Sequence, residues 1–117
     1  MKVSYCRRWN VIRDQPMDPL TVAQARKRDA AGKLYTIVLG DPAGPDKIIE
    51  IVRASGHVGV VFFDSLQRQS ILYSFNRVDD DTMFLHSMTN WKYPNDAAKT
   101  INESYWIEHL SIARTGP

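Results

Sequence analysis

Three consecutive aspartates, Asp79, Asp80 and Asp81, stand between two apolar runs in FNRVDDDTMFLHSM, and His86 follows five residues after the last. Carboxylates beside an imidazole can hold a hard cation or run acid/base chemistry, provided that the groups converge on one point. Neighbouring strand residues point to opposite faces, so three adjacent Asp converge only where the backbone turns. A calcium loop would also want D-x-D-x-D-G with a distant Glu, and that spacing is not in the sequence. The stretch therefore reads as a hairpin tip, where Asp carboxylates bond nearby backbone N–H groups.

The other groups able to do chemistry are dispersed. Cys6 is the one cysteine, and His57, His86 and His109 fall in neither H-x-E nor H-x-x-x-H spacing. Zinc has no local motif here, and a Cys/His nucleophilic pair needs a proximity that the spacing does not supply. GDPAGP at 40–45 precedes an apparent helix but lacks the Gly-Lys-Ser/Thr of a phosphate loop. Pro42 and Pro45 remove N–H donors and Asp41 would repel a phosphate. The residues imply no metal, no cofactor and no catalytic set.

Charge is unevenly spread. Residues 1–33 carry eight Lys/Arg against three Asp, whereas residues 34–117 carry seven basic and ten acidic groups. Arg7 and Arg8 beside Trp9, with Arg26, Lys27 and Arg28 on a helix, could grip phosphates and stack on bases. Consecutive helix residues spread around the axis rather than forming one stripe, so a solvated helix is the plainer reading. A second surface signal is the aromatic and methionine set Met83, Phe84, Met88, Trp91, Tyr93, Tyr105 and Trp106. Trp and Tyr are favoured where proteins meet. If Phe84, His86 and Met88 face outward, the sheet presents an apolar patch with a polar centre.

The elements that must position these residues follow from periodicity. At 117 residues and 44% hydrophobic content, the chain fits one domain with a core of its own, spanning 1–117. One thiol cannot form an internal disulfide, and the sequence shows neither a signal-peptide pattern nor an apolar run long enough to cross a bilayer. A cytoplasmic protein is expected. Residues 2–13 alternate as a strand; QPMDP breaks the chain, with Asp18 and Pro19 opening a helix that continues through TVAQARKRDAAGK. LYTIVL reads as a buried strand and PDKIIEIVRASG as a second helix, with Ile48, Ile51 and Val52 at helical spacing. HVGVVFFD, SILYSFNRV and TMFLHSMTNWKY form a meander; NDAAKTINE suggests a helical turn and SYWIEHLSIAR a last strand. The expected class is α+β, a mainly antiparallel sheet of five to six strands with two helices packed on one face.

The meander HVGVVFFDSLQRQSILYSFNRVDDDTMFLHSMTNWKYP resembles the small bacterial immunity-type proteins encoded beside polymorphic toxins. The resemblance lies in layout: paired hairpins, scattered aromatics and acidic turns over about a third of the chain. It carries over no functional residue. It implies a protein that neutralises one toxin by binding it, without catalysis. The favoured expectation is a non-enzymatic protein-binding domain whose contact residues are Asp79, Asp80, Asp81, His86, Trp91 and Tyr93, acting without a membrane. An alternative from another class is a small enzyme or ligand-binding fold, with a pocket between sheet and helices that uses Cys6, His57 or His86. A third is nucleic-acid binding through Arg7, Arg8, Arg26, Lys27 and Arg28.

Overall fold

The computed structural model of the chain describes residues 2–98, 101, 104 and 106–112. In chain order these residues form β1 (Val3–Asn10), β2 (Gln15–Leu20), α1 (Val22–Ala30), β3 (Tyr35–Asp41), β4 (Gly44–Val52), β5 (His57–Phe63), β6 (Gln69–Asp79), β7 (Thr82–Lys92) and β8 (Trp106–Ser111). A short 3-10 turn, Arg53–Ser55, links β4 to β5. All eight strands join one antiparallel sheet in the order β2-β1-β3-β4-β5-β6-β7-β8. Among the described residues no helix is long and apolar enough to cross a membrane.

This architecture overturns the expected α+β arrangement of five to six strands with two helices. Two segments account for the difference. QPMDP is not a break but β2, at the sheet edge, where proline's missing N–H removes no ladder bond on the open side. PDKIIEIVRASG is β4 with the 3-10 turn, not a helix. Its Ile and Val residues fit either period, but β-branched side chains favour the pleated state, and β3 and β5 supply a ladder on both sides. The first helix survives in shortened form. Thr21 caps α1 by accepting from Gln24 N, while Gln24 Oε1 accepts from Thr21 N, a reciprocal box that fixes the start. Of the expected turn NDAAKTINE only part lies within the described residues, and Tyr105 lies outside them.

Register sorts the side chains onto two faces. On the inner face Cys6, Thr36, Glu50, Gly59, Ser74 and Ser87 form one cross-strand row. Val38, Ile48, Val61 and Leu72 form the next. On the outer face the corresponding row is Tyr5, Ile37, Ile49, Val60, Tyr73 and Met88.

The core sits on the inner face. Cys6, Trp9, Val38, Ile48 and Val61 are buried together, with Phe63 and Leu72 packed against them. β1 pairs with β3 only from Val3 to Cys6. Beyond Cys6 the β1–β2 hairpin folds over the inner face, which lets Trp9 meet Phe63 edge to face at 5.8 Å between ring centroids. The turn that returns this hairpin is built by Asn10, whose Oδ1 accepts from Ile12 N and Arg13 N, and by Asp14 at φ 54°. The Trp9 indole N–H then donates to Asp14 Oδ1 at 2.8 Å.

Among the described residues the outer face is covered at one end, by α1. α1 carries the chain from β2 across β1 to β3 and rests on Tyr5, Tyr35 and Ile37, with Ala25 its one buried residue. Gly32, at φ +74°, ends the helix against the 3-10 turn, where an added Cβ would lie 2.8 Å from Ala54 Cβ. The molecule measures 42 × 40 × 22 Å, and its 15.1 Å radius of gyration exceeds the roughly 13 Å of a compact domain this long. It is a slab, not a ball.

The two faces predict different costs for adjacent residues. Ile48 is fully buried, whereas Ile49 is half-buried on the other face. Ile48→Ala should destabilise by about 2–5 kcal/mol in urea denaturation, and Ile49→Ala by less than about half as much. Equal losses would place the core on the wrong face.

Candidate functional site

Two 11-residue strands, β6 and β7, carry the acidic tip away from the core. Asp79 pairs with Thr82, leaving Asp80 and Asp81 as the loop. Asp81 N donates to Asp79 Oδ1, the local bond that makes Asp a turn residue. Arg77 donates from Nε to Asp79 O at 3.0 Å and from Nη2 to Asp80 Oδ1 at 2.7 Å. The Asp80 side chain is 97% exposed, so this ion pair is worth little to stability, about 0–1 kcal/mol. The carboxylates do not converge. Among the described residues no three His, Cys, Asp or Glu side chains are grouped to hold a metal.

His86, Trp91 and Tyr93 are placed separately. Ser74 pairs with Ser87 and Phe75 with Leu85, so His86 is the extra residue of a bulge in β7. Trp91 pairs with Ile107 of β8, and Tyr93 follows the end of β7. At about 3.4 Å per residue, the length of β7 puts Trp91 and Tyr93 roughly 30 Å from the acidic tip. The tip residues form one group, and Trp91 and Tyr93 do not join it.

Tyr93 has structural work at its own end. Its O–H donates to Gln69 O, and the Arg68 guanidinium stacks 4.2 Å above its ring. Burial, then the Asp64 charge, pushes the phenol up to about 12, so it stays a donor throughout the neutral range. Arg68 ties three segments together. Asp64 Oδ2 accepts from Arg68 Nε, and Asn95 O and Ala98 O accept from Nη1 at 2.7 and 3.1 Å. Asp64 Oδ1 also accepts from Leu66 N and Arg68 N, which shapes the β5–β6 turn. No sequence motif marks this latch; the one trace of it is the four-residue spacing of Asp64 and Arg68.

The remaining candidates lie apart. Cys6 is 1% exposed, and burial pushes its thiol up, against the effect of hydrogen bonding with Met17 and Thr36. The fully buried Thr36 hydroxyl sits by this thiol without full hydrogen-bond geometry. Glu50 stands next in the same row, its carboxyl raised by burial and pulled back by the charges of His57 and Arg8. His57 Nε2 lies over Gly59, and His109 bonds Thr89 and Ser111 at the β8 edge. Cys6, His57 and His86 do not share a cavity. Of the basic residues, Arg7 pairs with Asp18 and Arg28 donates to Leu34 O. Arg8 lines a groove with Met17 and Glu50, Arg26 lines the groove against Tyr5, and Lys27 and Arg28 line another beside Leu20, so these five make no single stripe.

No protein family, curated protein or solved structure matches the chain.

Two outcomes follow from these partners. Arg68→Ala leaves Asp64 Oδ2 and two carbonyls without their donor, so urea denaturation should show a loss of about 2–4 kcal/mol. A loss below about 0.5 kcal/mol would mean that the latch is ornamental. Glu50 is raised in the folded state, so its protonated form favours folding. That contribution is whole below its ordinary 4.5 and is lost as pH rises through the higher folded value. Glu50→Gln should flatten the stability profile just above pH 4.5; an unchanged slope there would assign it to other groups.

Proposed function

We propose that this chain is a non-enzymatic protein-binding domain, a bacterial cytoplasmic protein of the immunity type its meander resembles, that occludes a basic surface on its partner. The observation that carries this reading is the β6–β7 tip. Asp79, Asp80 and Asp81 are all exposed at the end of the two longest strands, and Met83 beside them is 42% exposed. A projecting cluster of carboxylates beside an apolar side chain suits a cationic partner: the charges steer encounter and the methionine adds contact area. Phe84 and the His86 bulge continue the same end of β7, half-buried. Tyr93, held by Gln69 and Arg68, supports the scaffold instead of reaching for a partner. The deep burial of Cys6 and its raised thiol also favour binding over catalysis.

The test is capture from the native bacterial lysate with immobilised wild-type chain and with the Asp79→Asn, Asp80→Asn, Asp81→Asn triple variant. A basic protein held by the wild type should be lost from the variant and should elute progressively between low and physiological salt. A partner retained equally by both, at every salt concentration, would remove the acidic tip from the interface.

A further inference from the structure

The outer face of β4–β8 is apolar over most of its width. One row runs Ile49, Val60, Tyr73, Met88 and Leu110, one residue from each strand. None of the five is buried, and Leu110 is 54% exposed. The neighbouring row runs Lys47, Phe62, Ile71, Asn90 and Glu108. Its side chains share this face: Phe62 meets Tyr73 edge to face at 5.5 Å, and the Lys47 ammonium lies 5.6 Å from the Phe62 ring centroid. α1 rests at the β1–β3 end and leaves this area open. Contiguous apolar area of this kind marks a contact surface.

We propose that a second copy of the chain covers this face, forming a symmetric sheet-on-sheet dimer. The register carries the complementarity. A two-fold axis running along β6 in the plane between the sheets places β4 over the partner's β8 and β5 over the partner's β7. Lys47 then faces the partner's Glu108, and the reciprocal pair forms at the other margin. Ile49 meets the partner's Leu110, Val60 meets the partner's Met88, and Tyr73 meets the partner's Tyr73 at the axis. The Lys47 row thus has a cation at one end and an anion at the other, so its charges match after a half-turn; between them Ile71 meets the partner's Ile71 and Phe62 meets the partner's Asn90.

The layers also fit. Packed sheets lie about 10 Å apart, close to the thickness of a helix, so α1 stands in the space a second sheet would fill. The same half-turn carries each α1 beyond the partner's β8 edge, where it flanks the sandwich without clashing. A tilt of the axis by about 15° gives the roughly 30° crossing that twisted sheets prefer. Five strands spaced about 4.8 Å apart, over about 20 Å of their length, offer on the order of 500 Å² per copy. The pair therefore buries about 1,000 Å², enough for a specific interface.

Sedimentation equilibrium of the full chain tests this. Wild type should be dimeric at about 50 μM, in the range expected of a modest interface. Lys47→Glu and Glu108→Lys should each weaken association about tenfold or more, because each sets like charges face to face. The double variant should return to within about threefold of wild type, as a restored pair requires. Tyr73→Lys should give a monomer with an unchanged far-UV circular dichroism spectrum. A monomeric wild type at that concentration overturns the proposal, and so does a double variant no tighter than the singles. The charge reversals decide the matter even if Tyr73→Lys fails to fold. The triple Asp-to-Asn variant of the tip should dimerise like wild type, so the two readings fail separately.

Discussion

The contact between Trp9 and Phe63 decides which face of the sheet becomes the core. A sheet with apolar residues on both faces needs a cover on each. The β1–β2 hairpin supplies one by leaving β3 after Cys6 and laying Trp9 into the row of Val38, Ile48 and Val61. Its return turn places Asp14 to accept the indole N–H, so the largest buried ring enters with its polar atom satisfied. Asp14 pays for this with burial, which raises its carboxyl against the pull of the Trp9 hydrogen bond and the nearby Gln69 amide. The Gln69 amide is near enough to act on that carboxylate yet completes no hydrogen bond of full geometry. The same end of the molecule holds Asp64, Arg68 and Tyr93, so both arms of the chain are tied where the inner face closes.

What remains is distributed accordingly. The helix is short, polar and buried only at Ala25, and it covers the outer face where β1 and β3 lie. The broad outer surface of β4–β8 and the acidic tip of β6–β7 are therefore separate features with different physics. One is flat, apolar and self-matching in its charges. The other is a projecting point of charge that screening weakens. The titratable groups inside, Cys6, Glu50 and Tyr93, all have protonation shifted towards the neutral form by burial. Desolvation is the leading cause in each.

The meander was legible because β5, β6 and β7 alternate or run apolar between short polar turns, and the aspartate tip lies where turn chemistry puts it. β4 was not, because Ile48, Ile49, Ile51 and Val52 satisfy a helical and a strand period at once, and only its two neighbours settle the matter. β2 hid behind Pro16 and Pro19, which local rules read as a break and an edge position tolerates. The contact residues expected together are separated by strand length: Trp91 lies at the far end of the strand that Asp81 precedes, and Tyr93 follows it. Arg68 and the fold-over of Trp9 depend on residues distant in sequence, and periodicity carries no trace of such contacts.

The most direct measurement of this two-faced sheet compares thiol reactivity at neighbouring positions of β5. In a Cys6→Ser background, Val61→Cys lies in the core, while Val60→Cys lies on the open face. In dilute, folded protein the half-buried thiol at 60 should react with a maleimide measurably, at least about tenfold faster than the thiol at 61, which should be protected. Protection at 60 with reaction at 61, or equal rates at both, would contradict the placement of core and contact surface on opposite sides of one sheet.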